Sequence, residues 1–223
     1  MGRAPSIPAA ERRAHAVRAL LELACSVAPD DISTAAIAQR MGVSHAALFR
    51  HFPSRDALWA EAVQWATTEL DQRFDAVGTA TDDPLEAVTL LLQSHVGFLQ
   101  NHPGLLRMFF AELQRPQTSP AREEGKAFMN RFRQRLAWLI EAAQREAALV
   151  SAIEPLERAG LLVAINQGLM LQGLVQNSLE GLVERAGRAH GLLLADLRPG
   201  RTAAACPAAA PGAAPAETAL PRS

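Results

Sequence analysis

Apolar residues recur along this chain at spacings of three and four from Ala9 to about Ala195, and no window shows the strict apolar/polar alternation of a half-buried strand. The pattern predicts an all-α fold. Leucine and alanine, both good helix formers, dominate these stretches. Breaks fall at recognisable signals. Pro29-Asp30-Asp31 ends a first helix, Met41-Gly42-Val43 interrupts a second, Phe52-Pro53-Ser54 ends a third, and a fourth runs from about Asp56 to Ala76. Farther along, Asp83-Pro84, His102-Pro103, Ser119-Pro120 and Glu154-Pro155 each place a cap position before a proline, which the first helical turn tolerates. They predict helices over roughly 84–101, 103–114, 120–149 and 154–180, with a shorter one near 182–195. In the segment 199–223, seventeen of twenty-five residues are Ala, Pro or Gly, so this tail is expected to stay unstructured.

The segment from Ser33 to Phe52, STAAIAQRMGVSHAALFRHF, carries the most information. Ser33 can cap a short helix whose inward positions are Ile37 and Ala38, the small alanine permitting a close crossing. Gly42 suits the left-handed backbone of a tight turn, Val43 is expected to plug the elbow, and Ser44 can cap the next helix. This is the pattern of a helix-turn-helix, although ordinary helical hairpins share its glycine turn. At about 100° per residue, turning Leu48 and Phe52 inward leaves Ala46, Ala47, Phe49 and Arg50 outward, with Ser44 and His45 at the tip and His51 on the flank. Small and basic residues on that face fit a helix that must enter a groove about 12 Å wide.

Charge sharpens the picture only slightly. The net charge is -1, but residues 1–56 carry seven arginines against five acids, while 57–198 carry thirteen bases against seventeen acids. A polyanion would dock on the N-terminal part. Apolar stretches are too short to span a bilayer and the arginine-bearing N-terminus lacks a signal core, so a cytoplasmic protein is expected. Cys25 and Cys206 form no metal-ligand spacing, and neither a metal nor a cofactor is expected. No Ser/His/Asp grouping or phosphate loop supports an enzyme.

The run Ile37-Ala38, Gly42-Val43-Ser44 and Leu48-Phe49-Arg50-His51-Phe52-Pro53-Ser54-Arg55-Asp56-Ala57-Leu58 resembles the N-terminal signature of the TetR family of one-component transcriptional regulators. The likeness covers about fifty residues; the rest of the chain matches only in helix layout. The resemblance implies a DNA-binding domain over 1–56 and an effector-binding and dimerisation domain over 57–198. It further implies that Ser44, His45, Ala46 and Ala47 read base edges, and that Thr34, Phe49, His51 and Arg55 lie against phosphates; Arg50 joins the phosphate set by its outward place on the helix. Phe49 stands where the family usually has tyrosine, so a phosphate-bonding hydroxyl is missing; Arg55 replaces the usual lysine and keeps the charge.

Within the second domain, Gln93, His95, Phe98, Leu105, Met108, Phe109, Phe128, Phe132, Trp138, Asn166, Gln167 and Met170 sit at spacings that suit either a solid core or a cavity wall. The resemblance favours a pocket for a small, largely apolar effector. The helix after Pro155 is apolar around most of its circumference, and Leu162, Gly168, Leu171, Gly173, Leu174 and Val175 are expected at a two-fold interface with a second copy. Two recognition helices about 34 to 36 Å apart would read a palindromic operator. The expected protein is a sequence-specific repressor released from DNA by its effector. The alternative is a ligand-independent DNA-binding protein that organises the chromosome or recruits a protein partner.

Overall fold

A computed structural model describes residues 8–147 and 151–197. The predicted tail over 199–223 lies outside them. The described residues form nine α-helices, two 3₁₀ turns and no strand: α1 (Ala9–Ala24), α2 (Thr34–Arg40), α3 (His45–Phe49), α4 (Arg55–Ala80), α5 (Pro84–Gln100), α6 (Pro103–Gln114), α7 (Pro120–Glu146), α8 (Pro155–Val175) and α9 (Leu182–Leu193), with the 3₁₀ turns at Pro29–Asp31 and Ala195–Leu197.

Caps set most boundaries. Ser33, Ser44, Ser54 and Ser119 each accept from the backbone N–H three residues on, and Asp83 accepts from Leu85 and Glu86. Prolines occupy the first turn of α5, α6, α7 and α8. Two of the helix ends that fall earlier than the spacing predicts have a local cause. α1 stops at Ala24 because Pro29 forces Ala28 into an extended conformation, and the chain must leave the helix ahead of it. α8 stops at Val175, where Asn177 takes φ 52° while its N–H donates to Leu174 O and that of Ser178 donates to Gly173 O. That pair of bonds closes a helix in the same way Gly42 does after α2.

α1, α2 and α3 pack on the first turns of α4 through Leu20, Ile37, Leu48, Phe52 and Leu58, all buried. α4 continues into the second part of the molecule, where it lies against α5 and α7, and α7 lies against α8. One apolar core therefore runs unbroken from the headpiece through Phe74, Phe128 and Phe132 to Leu162. A smaller cluster, Val96, Leu106, Met170, Leu182 and Ala186, joins α5, α6, α8 and α9.

Some predicted inward positions point elsewhere. Trp138 is 62% exposed on α7, and Val43 is 38% exposed at the elbow it was expected to plug, held by its N–H to Ala38 O. Gln93 lies on the solvent side of α5, two residues from His95 and so about 200° away around the helix. It therefore does not face the helix interior where the sequence reading placed it.

Candidate nucleic-acid interface and effector cavity

Gly42 adopts φ +67°, with its N–H donating to Gln39 O and that of Val43 to Ala38 O. A side chain at this φ is strained, which is why glycine turns the chain here. The turn projects α3 so that Ser44, His45, Ala46, Phe49 and Arg50 are exposed, Ala47 and His51 are half-buried, and only Leu48 faces the core. Ser44 Oγ accepts from Ala47 N at 3.2 Å, so the N-terminal dipole of this helix faces outward with its cap in place.

The side chains on this face are partly ordered by each other. Thr34 Oγ1 lies 2.9 Å from His45 Nε2, and the His45 ring meets Phe49 edge to face at 4.9 Å. The first residue of α2 thus holds the first residue of α3. Arg50 makes no hydrogen bond or ion pair among the described residues, which leaves its guanidinium free for an anion. Arg55 is not free. Its guanidinium donates to Pro29 O at 2.5 Å, to Asp30 O at 3.1 Å and to Asp30 Oδ1 at 3.2 Å, and stacks over Trp59 at 4.8 Å. It ties the 3₁₀ turn to α4 with three of its five N–H donors, so any phosphate contact would fall to the remaining Nε–H and Nη1–H.

Among the links that join the headpiece to the rest are α4 itself, a close crossing of α6 on α1, and an ion pair. At the crossing, a Cβ on Gly104 would stand 2.0 Å from Leu21 O, so only glycine permits the approach. The ion pair runs from Asp56 Oδ1 to Arg115 Nη1 at 3.1 Å, and the same nitrogen reaches the buried Glu112 at 3.3 Å. Glu112 also accepts a short hydrogen bond from the Ser119 hydroxyl.

Beneath α6 lies an inner cavity of about 70 Å³ lined by His95, Leu105, Phe109, Phe128, Gln167 and Met170 together with α4 residues that include Val63, Thr67 and Leu70. An adjoining cleft of about 460 Å³ shares Val63, Phe109, Gly125 and Met129 with it and opens past Met108, Glu112, Arg122 and Lys126. Phe98 and Phe132 stand behind these walls. Phe98 packs on Trp65 and His102, and Phe132 stacks on Phe74 at 4.8 Å. Asn166 is fully buried beside His95.

The two sides of α8 are distinct. Ala159, Leu162, Val163, Asn166, Met170 and Gly173 face inward. Leu162 is wholly buried within the subunit, and a Cβ on Gly173 would collide with Leu179 at 2.6 Å, so these two are corrected from interface to internal packing. Leu161, Ala164, Gly168, Leu171 and Val175 are exposed, spaced three, four, three and four apart, with open space over Gly168. Leu174 is half-buried at the edge of this stripe. Sequence reasoning missed Leu161, although its place in the three-four spacing marks it.

Residues 17–62 match the sequence model of the bacterial regulatory proteins, tetR family. The chain is 27% identical over 158 residues to the nucleoid occlusion factor SlmA of Marinomonas sp., covering 71% of this chain and 80% of that protein. It is 38% identical over 77 residues to the SlmA of Vibrio vulnificus, covering 34% and 39%. In fold it is similar to a transcriptional regulator from Rhodococcus sp. (22% identity, TM-score 0.66, covering 82% of this chain and 96% of that one). A TetR transcription regulator from Haloarcula marismortui is similar too (17% identity, TM-score 0.72, 82% and 96%). With a glycine-turned α3 projecting from the described helices and the family's own sequence pattern laid over that turn, residues 17–62 form a helix-turn-helix domain of the tetR family of bacterial regulatory proteins, on a chain whose helical fold is shared with transcriptional regulators of that type.

Proposed function

We propose that this regulator binds a palindromic operator as a homodimer and is released from it by a small, largely apolar molecule. The carrying observation is the exposed α3 face, where an outward N-terminus, small Ala46 and an unpaired Arg50 meet the needs of a helix entering a major groove. Ser44 and His45 supply hydrogen bonds to base edges, and Ala46 and Ala47 supply apolar contact. Thr34, Phe49, Arg50 and His51 lie where phosphates pass. The stripe Leu161, Ala164, Gly168, Leu171 and Val175 pairs with its two-fold mate, because an exposed apolar face of this length on a soluble helix needs covering. The inner cavity and its cleft receive the effector. Gly104 against Leu21 and Arg115 against Asp56 pass a shift of α6 to the headpiece. Release by an effector requires that it favour a spacing of the two α3 helices that mismatches the groove.

The similarity to SlmA proteins favours a second reading, in which the dimer binds many chromosomal sites and no small molecule releases it. A mobility-shift assay on the intergenic DNA beside the gene tests both. A specific complex that His45→Ala weakens, and whose salt dependence Arg50→Ala reduces by about one counterion per subunit, supports the α3 assignment. Equal binding by all three proteins removes it. Sites spread round the chromosome, with no compound that dissociates them, would favour the second reading.

A further inference from the structure

His95 on α5, Asn166 on α8 and His190 on α9 form a buried polar chain inside an otherwise apolar core; they are 3%, 0% and 2% exposed. His190 Nε2 lies 2.7 Å from Asn166 Oδ1, and Asn166 Nδ2 lies 3.4 Å from His95 Nδ1. An amide oxygen only accepts, so His190 carries its proton on Nε2; an amide nitrogen only donates, so Nδ1 of His95 accepts. Burial, and then the neighbouring His190, push the His95 pKa down to about 4, and burial does the same to His190, again to about 4. Both rings are neutral at pH 7, and the single proton of His95 sits on Nε2.

The reversed setting of the Asn166 amide would move the His190 proton to Nδ1, a buried atom with no partner. An orphaned buried N–H is less tolerated than an orphaned lone pair, which favours the setting observed. His95 lines the inner cavity between Phe128 and Phe132, and no hydrogen bond among the described residues uses its Nε2. Of the other polar cavity residues, Thr67 Oγ1 is engaged with Gln64 O and Glu124 Oε1, and Gln167 is largely turned to solvent.

Taking the cavity as the effector site, we propose that it selects a molecule with an apolar body and one neutral hydrogen-bond acceptor, such as a ketone, ester or ether oxygen, which accepts from His95 Nε2. Asn166 and His190 are positioning residues that hold His95 as a donor. A carboxylate is excluded from this inner position because it would be buried among neutral and apolar groups, the cations Arg122 and Lys126 lying out in the cleft. A cavity of about 70 Å³ takes only the acceptor end, so the apolar body extends past Val63, Phe109 and Met129 into the cleft. Because Asn166 and His190 lie on α8 and α9, an occupant that moves His95 also pulls on the packing of these two helices.

Long-range ¹H–¹⁵N spectra of the wild-type imidazoles at pH 7 test the tautomer without any ligand. A proton on Nε2 of His95 is expected, and one on Nδ1 overturns the proposal. Binding is tested by calorimetry with 2-octanone and with 2-methyl-1-octene, in which a methylene replaces the carbonyl oxygen. His95→Phe should weaken the ketone roughly fivefold to tenfold and leave the alkene unchanged. Parallel loss of both, or no binding of the ketone to the wild type, overturns it. Asn166→Leu should mix the His95 tautomers and weaken only the ketone; an unaltered tautomer removes the positioning role. Ketone binding that depends on His95 but leaves operator DNA bound would retire the effector reading and keep this one. Molecules that release DNA while ignoring His95 would do the reverse.

Discussion

Acid should weaken this fold well before its carboxylates are neutralised. His95 and His190 both titrate near 4 in the folded protein against an ordinary value of 6.5. Above pH 6.5 neither state is protonated and the stability of the neutral pair is fully present. As pH falls from 6.5 towards 4 the unfolded chain takes up two protons that the native protein refuses, so stability drops, and it levels off below 4. At pH 5 each histidine accounts for about 2 kcal/mol relative to pH 8, and the pair for about 4 kcal/mol. That is a large share of the roughly 5 to 15 kcal/mol that holds a typical protein folded. Asp196 does not confuse the window. Its hydrogen bond from Arg158 holds its pKa below 3.8, so its stabilisation is lost only as pH falls through that lower range. Urea unfolding followed by circular dichroism at pH 8, 6.5 and 5, all at one protein concentration, measures the slope. A His95→Phe/His190→Leu double variant should be less stable at pH 8 but lose about 4 kcal/mol less between pH 8 and pH 5. Parallel losses by the two proteins would refute the assignment of two neutral buried imidazoles.

Three more outcomes follow from packing. Gly104→Ala forces a methyl against the Leu21 carbonyl; we expect at least 1 to 3 kcal/mol of destabilisation, seen as a fall in Tm of several degrees. Asp196→Ala removes both carboxylate bonds, each 2.7 Å, from Arg158, whose side chain is 1% exposed, and leaves it only the neutral acceptors Leu193 O and Ser151 Oγ; burying that guanidinium without its counter-charge should cost about 3 kcal/mol in urea unfolding, although Asp196 itself is exposed. Leu171→Glu, on the exposed stripe of α8, should yield a folded monomer by sedimentation and abolish operator binding, whereas an unchanged dimer would move the two-fold interface elsewhere.

Much of the helix-turn-helix was legible in the sequence because each of its special positions is decided locally. A serine before a helix caps it, and a glycine after one turns the chain, whatever else the protein does. The same holds for the prolines that open α5 to α8. Periodicity was less reliable where a helix is apolar on several sides. In α8 both faces carry leucine and glycine, so Leu162 and Gly173 looked equivalent to Leu171 and Gly168 until their neighbours were known.

Local rules settled that the described residues are helical, where their helices start, and which short helix stands behind the glycine turn, since those outcomes depend on residues within one or two turns of each other. Only the assembled protein decided that Arg55 clamps the Pro29–Asp31 turn, that Gln93 faces water, and that His95, Asn166 and His190 meet. Those partners are separated by 24 to 71 residues, and a side chain's hydrogen-bonding and protonation state follow from what lies across from it, which helical spacing does not encode.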